Sequence, residues 1–291
     1  MRHMSGSHFV AYTIPSDGLR LDIALVETDR LLLHEETIPE SLEQLLEEIE
    51  RDGVLRSPVI VDRESLVVLD GMHRVEALRS IGCRFTCVCL VDYQSREIKV
   101  DRWCRVTRRT VRIEELKEKF SELDTYKISL RKSDVRGGAD FLLMLNDGFY
   151  RMVSSESGIL PALEIMAIIE SWLRERGDKV GYETELDAEE MLKKGEVGFV
   201  LCPPRIEKHH VLDIISKGKV FTFKATRHIV PARPFGVNIP LEMLKDTEIT
   251  VKEANRRLSQ LLERKALKRV LPGQVWRGRR YEETVYVFED V

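Results

Sequence analysis

The spacing of apolar residues predicts the main elements of the first third of the chain. Within SLEQLLEEI the apolar positions follow i, i+3, i+4 and i+7, which predicts a helix over 39–52 that ends at Gly53. PVIVD at 58–62 and SLVVLD at 65–70 are short apolar runs typical of two strands, and FTCVCLVDY at 85–93 predicts a third. These elements favour a compact α/β module.

A second helix is predicted directly after the second of these strands. In VVLDGMHRVEALRSIG, residues 67–82, an apolar run passes through Asp70 and Gly71 into a helical pattern. Gly82 suits the position just after the end of a helix. The stretch 19–93 is therefore predicted to hold short strands and two helices.

The second half of the chain predicts an α+β domain followed by a different tail. FLLML at 141–145 predicts a strand, and 161–175 predicts a helix. DAEEMLKKGEVGFVLCPP and RIEKHHVLDIISKGKVF each predict a helix, a Lys-Gly stop and a strand. After residue 242 come a charged amphipathic helix over 250–267 and a hairpin over 270–291, which we interpret as an accessory element.

The predicted fold class is therefore mixed α/β (α+β), divided into four segments. They are a tag-like or disordered start, an α/β domain, an α+β domain and a C-terminal extension of helix and hairpin, over 1–18, 19–110, 111–242 and 243–291.

Composition and charge narrow the class of protein. The chain has 291 residues, of which 43% are hydrophobic and 33% charged, with a net charge of −3. That balance argues against a surface built for non-specific nucleic-acid or membrane binding. No apolar run reaches the roughly 18 residues that span a bilayer, and MRHMSGSHF has no apolar segment of a secretory signal.

The cysteines predict a reducing environment. Their number is odd, five, and they are scattered, which does not suggest a disulfide framework and favours the cytoplasm. Cys87 and Cys89 fall on the predicted strand over 85–93, Cys83 lies just before it, and no C-x-x-C pair is present. They are therefore interpreted as small apolar residues and not as zinc ligands.

Residues 70–74 are the first candidate site. The chain has neither a P-loop motif nor a G-x-G-x-x-G motif. A strand that passes through Gly71 into a helix nevertheless presents N–H groups that favour a phosphate, and His73 and Arg74 can add donors. Asp70 would repel phosphate unless Mg²⁺ bridges the two, and the alternative is that Asp70 only caps the helix.

Three further clusters carry charged or titratable groups. Glu35, in His34-Glu35-Glu36, is a candidate general base, with an exposed turn as the alternative. The loop KATRH at 224–228 suits a carboxylate or phosphate, with a solvated loop as the alternative. The arginines between 102 and 112 are either an anion-binding patch or, as we expect, a solvated connector.

Together these motifs resemble a known family. His34-Glu35, then DGMHR at 70–74, then KATRHIVP at 224–231 are similar to the free L-serine kinases, whose N-terminal domain is ParB/sulfiredoxin-like. In that family the motifs read H-E, D-G-H-H-R and K-[TS]-T-R-H-x-[IVL]-P. The resemblance covers about residues 20–242 and implies a nucleotide-binding first domain and a substrate site in the second.

The resemblance implies a role for each matching residue. Glu35 would be the catalytic base, Asp70 the acid that assists phosphoryl transfer through Mg²⁺, and residues 71–74 the phosphate-binding turn. That turn consists of Gly71, Met72, His73 and Arg74. The residues implied to contact the amino acid are Trp103, Lys224, Thr226, Arg227 and His228.

The chain departs from the family pattern at three positions. Met72 stands in place of the first histidine of D-G-H-H-R, which implies the loss of one phosphate contact. Ala225 stands in place of a hydroxyl residue, and Glu48 falls where some members have a serine near the substrate. The extension after residue 242 is absent from the shortest members.

The predicted function is a phosphotransferase that makes O-phospho-L-serine from free L-serine in the cytoplasm. ATP and ADP remain open as donors, and homoserine and threonine remain open as acceptors. The alternative is a nucleotide-responsive ParB-like DNA-binding or regulatory protein, which the arginines of 102–112 and the charged tail would serve. An inactive paralogue is a third possibility.

Overall fold

The computed structural model describes residues 8–121, 129–132, 141–153 and 159–291. It contains helices and several β-sheets and divides into two compact units. Unit 1 comprises residues 1–99, 215–218 and 228–291, and unit 2 comprises residues 100–214 and 219–227. Within the described part of the chain, no helix has the length and apolar character that crossing a bilayer requires.

The helices and strands are numbered in chain order. The helices are α1 (Pro39–Asp52), α2 (Met72–Ser80), α3 (Ile113–Ser121), α4 (Ile159–Glu175), α5 (Glu185–Lys193), α6 (Lys208–Ser216), α7 (Leu241–Lys245) and α8 (Val251–Leu262). The first ten strands are β1 (Tyr12–Ile14), β2 (Leu21–Glu27), β3 (Val54–Leu55), β4 (Val59–Asp62), β5 (Val68–Asp70), β6 (Phe85–Val91), β7 (Lys99–Asp101), β8 (Cys104–Thr107), β9 (Ser129–Lys132) and β10 (Phe141–Leu145). The others are β11 (Gly148–Val153), β12 (Gly181–Glu183), β13 (Phe199–Cys202), β14 (Arg227–Ile229), β15 (Ala232–Phe235), β16 (Ile239–Pro240), β17 (Lys265–Val270), β18 (Val275–Trp276), β19 (Arg279–Arg280) and β20 (Thr284–Asp290).

Unit 1 is built on a five-stranded mixed sheet with the strand order β1-β2-β6-β4-β5. The predicted helix over 39–52 is confirmed as α1, and Gly53 ends it in a left-handed conformation with φ 66°. β4 and β6 are buried along their whole length, so their near-continuous apolar sequences match strands covered on both faces. The core beneath α2 includes Val59, Val61, Val75 and Val88.

The C-terminal extension belongs to unit 1. Its strands β17 and β20 form a three-stranded sheet with β15, in which β20 lies in the middle and pairs with β15 in parallel. Helix α8 is fastened to β2 through Asn255, which accepts from the N–H of Leu25 (2.8 Å) and donates to its carbonyl (2.9 Å). The extension is therefore part of the folded unit, and not only an accessory as the sequence suggested.

Unit 2 is built on a six-stranded sheet with the order β12-β8-β13-β10-β11-β9. The long helix α4 packs on one face through residues that include Ile165, Met166 and Ile169. On the other face Ala188 of α5 packs against Cys104, Val106 and other strand residues. The predicted strand FLLML and the predicted helix after it are confirmed as β10 and α4.

A disulfide in unit 2 corrects the prediction drawn from the cysteine count. Cys104 and Cys202 are bonded, although 98 residues separate them in sequence. β8 and β13 are antiparallel neighbours whose register places these two residues opposite each other. Because this juxtaposition arises only from the sheet, their spacing carried no signal. Cys83, Cys87 and Cys89 are buried free thiols, as interpreted.

Three predicted features differ in the structure. The segment KGKVF at 217–221 forms no strand, because most of it is exposed and turn-like. The helix predicted over 250–267 ends at Leu262, and Lys265 already begins β17. Arg102 and Arg105 are buried in ion pairs with Glu185 and Glu170, so they do not belong to a solvated connector.

The predicted domain division stays a prediction. Unit 1 runs to Lys99 and includes two later parts of the chain, residues 215–218 and 228–291. Each unit thus combines segments that are distant in sequence, whereas the predicted division cuts the chain into consecutive segments.

Candidate functional site

The turn between β5 and α2 is built around Gly71. Gly71 is the residue before the first turn of α2 and has φ 101°, a left-handed conformation that favours glycine. A Cβ at this position would lie 2.7 Å from Nη2 of Arg74. The N-cap residue of α2 is Gly71 and not Asp70, so the alternative that Asp70 occupies the N-cap position is wrong. The first N–H groups of a helix have no intrahelical acceptor, and here they sit where an anion would be favoured.

Arg74 is bound into the framework of this turn. Its Nη1 donates to the carbonyls of Ser57 (3.1 Å) and Pro58 (2.6 Å), and its Nη2 donates to Oδ2 of Asp70 (3.3 Å). Burial lowers the pKa of Arg74, while Asp70 raises it, and a guanidinium remains charged at neutral pH. Arg74 thus fixes the turn and contributes positive charge, with most of its donors already used.

A second arginine reaches Asp70 from the C-terminal sheet. Nη1 of Arg233, on β15, lies 3.0 Å from the same Oδ2 atom of Asp70. Its Nε lies 2.6 Å from Oε1 of Glu283. The sequence reasoning missed Arg233 because nothing local in PARPFG indicates that β15 passes the phosphate turn.

The two residues before Arg74 have different roles. Nε2 of His73 accepts from the N–H of Ile38 at 3.0 Å, so a neutral His73 carries its proton on Nδ1. The side chain of Met72 packs against the core of unit 1. Met72 can therefore serve an anion only through its backbone N–H.

Glu35 lies in a buried segment, so the alternative of an exposed turn is wrong for this residue. Glu35 is 5% exposed and His34 is fully buried. Nδ1 of His34 donates to the carbonyl of Val68 at 2.8 Å, and burial lowers the pKa of His34 to about 4. His34 is therefore neutral at pH 7, and its 3.8 Å approach to Glu35 is not an ion pair.

His228 belongs to the same unit and contacts His34. Their rings meet edge to face with centroids 5.0 Å apart. Nε2 of His228 and the hydroxyl of Tyr93 are 2.8 Å apart. Burial raises the pKa of Tyr93, so its hydroxyl keeps its proton. Tyr93, which sequence reasoning did not single out, fixes the position of His228.

Unit 2 carries the other predicted substrate residues around Trp103. Nζ of Lys224 lies 5.2 Å from the centre of the Trp103 ring, and the guanidinium of Arg227 lies 5.5 Å from it. Arg227 also lies 3.7 Å from Asp101. Three of the predicted residues thus form one cationic and aromatic cluster.

Arg105, on β8, holds the backbone of this cluster in place. It donates to the backbone carbonyls of Trp103 (3.1 Å), Phe223 (3.2 Å) and Lys224 (3.0 Å). Its Nε donates to Glu170 of α4 at 3.0 Å, and both side chains are buried. A buried pair of this kind is costly to break, which makes Arg105 a rigid support for the 224 loop.

Two further loop residues are buried. Thr226 is 6% exposed, and Ala225 is completely buried. The side chain at position 225 thus points into the protein, so the missing hydroxyl there removes no surface group.

The resemblance also implies Mg²⁺, and the turn offers one ligand for it. Among the described residues, no three His, Cys, Asp or Glu side chains are grouped to hold a metal ion. Magnesium in kinase sites commonly takes one or two carboxylates and completes its shell with phosphates and water. The partly exposed carboxylate of Asp70, at the mouth of an anion-binding turn, fits that kind of site.

Comparisons with known proteins agree with these features. No family model matches the chain. A protein of Staphylothermus marinus named ATP-dependent L-serine kinase is 27% identical over 83% of this chain and 100% of its own length. One of Thermococcus kodakarensis named ADP-dependent L-serine kinase SerK is 24% identical over 80% of this chain and 96% of its own length.

The solved structure of a free serine kinase in complex with AMP has a similar fold. It aligns with a TM-score of 0.64 at 22% identity, over 80% of this chain and 97% of that one. The predicted fold class, mixed α/β, is confirmed. The chain is thus similar to L-serine kinases in sequence over most of its length and to a free serine kinase in fold.

Proposed function

We propose that this protein is a kinase that transfers a phosphoryl group from ATP or ADP to the hydroxyl of free L-serine. The observation that carries the proposal is the attachment of the Glu35 segment to the phosphate turn. His34 bonds to the carbonyl of Val68, and His73 bonds to the N–H of Ile38. Two hydrogen bonds, one on either side of Glu35, thus tie a buried carboxylate to the strand end and helix start around Asp70. The names of the relatives support the choice of serine and of an adenine nucleotide.

The proposed reaction needs a base, an anion site and charge neutralisation. The carboxylate of Glu35 takes the proton from the serine hydroxyl as its oxygen bonds to the terminal phosphorus. The bond from that phosphorus to the bridging oxygen breaks, which leaves ADP from ATP or AMP from ADP. Catalysis then consists mainly of positioning and electrostatic stabilisation, as in other phosphoryl transfers.

Phosphate binding is assigned to unit 1. The N–H groups at the start of α2, Nδ1 of His73 and the positive charge of Arg74 would face the phosphates. Asp70 would hold Mg²⁺, which would neutralise phosphate charge when bound. The proposed setting is the cytoplasm, where both nucleotides are found.

Amino-acid binding is assigned to Trp103, Lys224, Thr226, Arg227 and His228. Arg227 suits the serine carboxylate because a guanidinium can bind a carboxylate with two parallel hydrogen bonds. Its 3.7 Å separation from Asp101 is longer than a hydrogen bond, so a substrate carboxylate could compete for it.

The direct test is product formation. Purified protein is incubated with L-serine, Mg²⁺ and either ATP or ADP, and O-phosphoserine is measured by mass spectrometry, with homoserine and threonine as competing acceptors. Folded protein that yields no phosphoserine with either nucleotide would refute the proposal. The two nucleotides tested separately identify the donor.

The base is tested by paired glutamine substitutions. Glu35→Gln should reduce turnover by at least about a hundredfold, the range expected for loss of a general base, and should leave nucleotide binding largely intact. Glu36→Gln is the matched control, because Glu36 is the exposed neighbour. Equal activity of the two variants would exclude Glu35 as the base.

The carboxylate contact is tested by a second pair of variants. Arg227→Ala should raise KM for serine about tenfold or more, with a much smaller change in KM for the nucleotide. Arg205→Ala is the control, since Arg205 also lies near Asp101, at 3.6 Å, and is exposed. An unchanged KM for serine in Arg227→Ala would show that Arg227 does not bind the serine carboxylate.

A second candidate function rests on the charge of the extension. Residues 264–280 contain seven basic residues and no acidic one, in a chain whose net charge is −3. They are Arg264, Lys265, Lys268, Arg269, Arg277, Arg279 and Arg280. If the protein is a DNA-binding regulator, its affinity for DNA should fall steeply as the salt concentration rises. The double substitution Arg279→Ser and Arg280→Ser should then reduce the slope of log affinity against log salt concentration by up to about two. Absence of DNA binding at low salt would exclude the DNA-binding function and leave the kinase as the remaining candidate.

A further inference from the structure

The C-terminal sheet brings an arginine and a glutamate to the phosphate turn, and neither lies within His34-Glu35, residues 70–74 or residues 224–231. We propose that Arg233 is an additional phosphate-binding residue of the turn and that Glu283 is its positioning residue. This inference rests on the proposed function for its nucleotide ligand, but it concerns how the nucleotide is bound and not which acceptor is used.

The register of the C-terminal sheet explains why the two side chains meet. β15 pairs in parallel with β20, and Arg233 lies opposite Val285. Glu283 lies in the bend directly before β20, which begins at Thr284. The N–H of Thr284 donates to the carbonyl of Pro231 (3.0 Å), which holds this bend beside the start of β15, and Oε1 of Glu283 lies 2.6 Å from Nε of Arg233.

The strand that carries Arg233 is rigidly held. Ala232 and Pro234 are buried on one side of β15, while Arg233 and Phe235 face the other. The ring of Phe235 stacks on Trp276 with centroids 5.6 Å apart. Arg233 therefore projects from a fixed backbone, so the position of its guanidinium depends mainly on Glu283 and Asp70.

The donors of Arg233 are less committed than those of Arg74. Nη1 of Arg74 is shared between two backbone carbonyls. In the described part of the chain, the hydrogen bond of Arg233 is the one from Nη1 to Asp70, while its buried Nε faces Glu283 without an aligned hydrogen bond. The guanidinium can thus give donors to an arriving phosphate, with Glu283 still holding it from behind.

The charge at the turn also requires a second cation. Asp70 lies where phosphates are proposed to bind, and a carboxylate there repels them. Arg74 and Arg233 both contact Oδ2 of Asp70, and Glu283 faces Arg233, so two arginines balance two carboxylates at the side of the turn. Removal of Arg233 would leave two carboxylates beside one arginine, and thus a net negative charge where the phosphate is proposed to bind.

The test measures nucleotide binding and turnover in a double-mutant cycle. Arg233→Met should weaken ADP or ATP binding about ten- to a hundredfold, the range for a charge-assisted hydrogen bond, with KM for serine little changed. Glu283→Gln should weaken nucleotide binding by a smaller factor, about threefold to tenfold. The double variant should be no weaker than Arg233→Met, because Glu283 acts through Arg233.

Matched variants separate position from folding. Arg233→Lys keeps the charge but cannot contact Asp70 and Glu283 together, so it should recover binding only in part. Glu282→Gln, at the exposed neighbouring position, should bind the nucleotide as the unchanged protein does. Thermal unfolding of each variant identifies any that does not fold, in which case Arg233→Lys carries the test.

The outcomes distinguish this inference from the proposed function. Unchanged nucleotide affinity in folded Arg233 variants that still make phosphoserine would overturn the inference alone. Additive effects of the two substitutions would overturn the positioning role of Glu283. An unchanged protein that makes no phosphoserine, yet binds ADP through Arg233, would refute the kinase and support the phosphate site. Absence of any nucleotide binding would refute both.

Discussion

Protonation of His34 should destabilise unit 1 as the pH falls. His34 is fully buried beside Glu35, and burial lowers its pKa from 6.5 to about 4. In the unfolded chain the imidazole takes up a proton near pH 6.5, while in the folded chain it stays neutral until about pH 4. The unfolded state therefore binds more protons between these two values, and the free energy of unfolding decreases as the pH falls through this window.

The size of the effect follows from the shift. Each pKa unit corresponds to about 1.4 kcal/mol, so His34 alone should remove about 2 kcal/mol between pH 7 and pH 5. Other groups titrate in this range as well, so the measurement is a difference between variants. Urea unfolding at pH 7, 6 and 5 would be compared for the unchanged protein, for His34→Gln and for His209→Gln, whose histidine is exposed.

The two histidine variants should differ clearly in how their free energy of unfolding changes between pH 7 and pH 5. His209→Gln should keep the pH dependence of the unchanged protein, whereas His34→Gln should lose about 2 kcal/mol of it, whatever its stability at pH 7. If His34→Gln and the unchanged protein lose the same stability between pH 7 and pH 5, His34 is not held neutral by burial. A protonated His34 would then form an ion pair with Glu35 across the 3.8 Å contact.

Three other expectations concern the extension, the turn and the metal. Asn255→Ala removes the side-chain amide that binds the buried backbone N–H and carbonyl of Leu25, so the free energy of unfolding measured in urea should fall by about 2–5 kcal/mol. Gln260→Ala, at an exposed position of the same helix, should change the free energy of unfolding little. Gly71→Ala combines a left-handed backbone with a clash against Arg74, so calorimetry should show loss of nucleotide binding and a stability decrease of at least about 1 kcal/mol; unchanged nucleotide affinity would contradict the role of the turn. Removal of divalent cations with EDTA should abolish phosphoserine formation, and excess Mg²⁺ should restore it; activity that persists in EDTA would exclude the metal.

Local sequence signals determined the elements whose stability is local. The spacing of apolar residues and Gly53 determined α1, because a helix buries one face at a fixed period and needs a left-handed residue to end it. Gly71 marked the turn for a similar reason, since its conformation excludes most side chains. Where the local signal was weak, prediction failed, as at the exposed segment 217–221 and at the end of α8.

Long-range contacts were decided only by the tertiary structure. The pairing of β8 with β13 created the disulfide of Cys104, and the burial of Arg105 required Glu170 on a helix 65 residues away. The motif around Asp70 was visible in the sequence, but its second arginine was not, because Arg233 lies 163 residues further along the chain. Periodicity and turn residues report on neighbours in sequence, whereas strand register decides which distant charges meet. The motifs thus determined where chemistry is expected, and the packing of the C-terminal sheet decided what surrounds the phosphate turn.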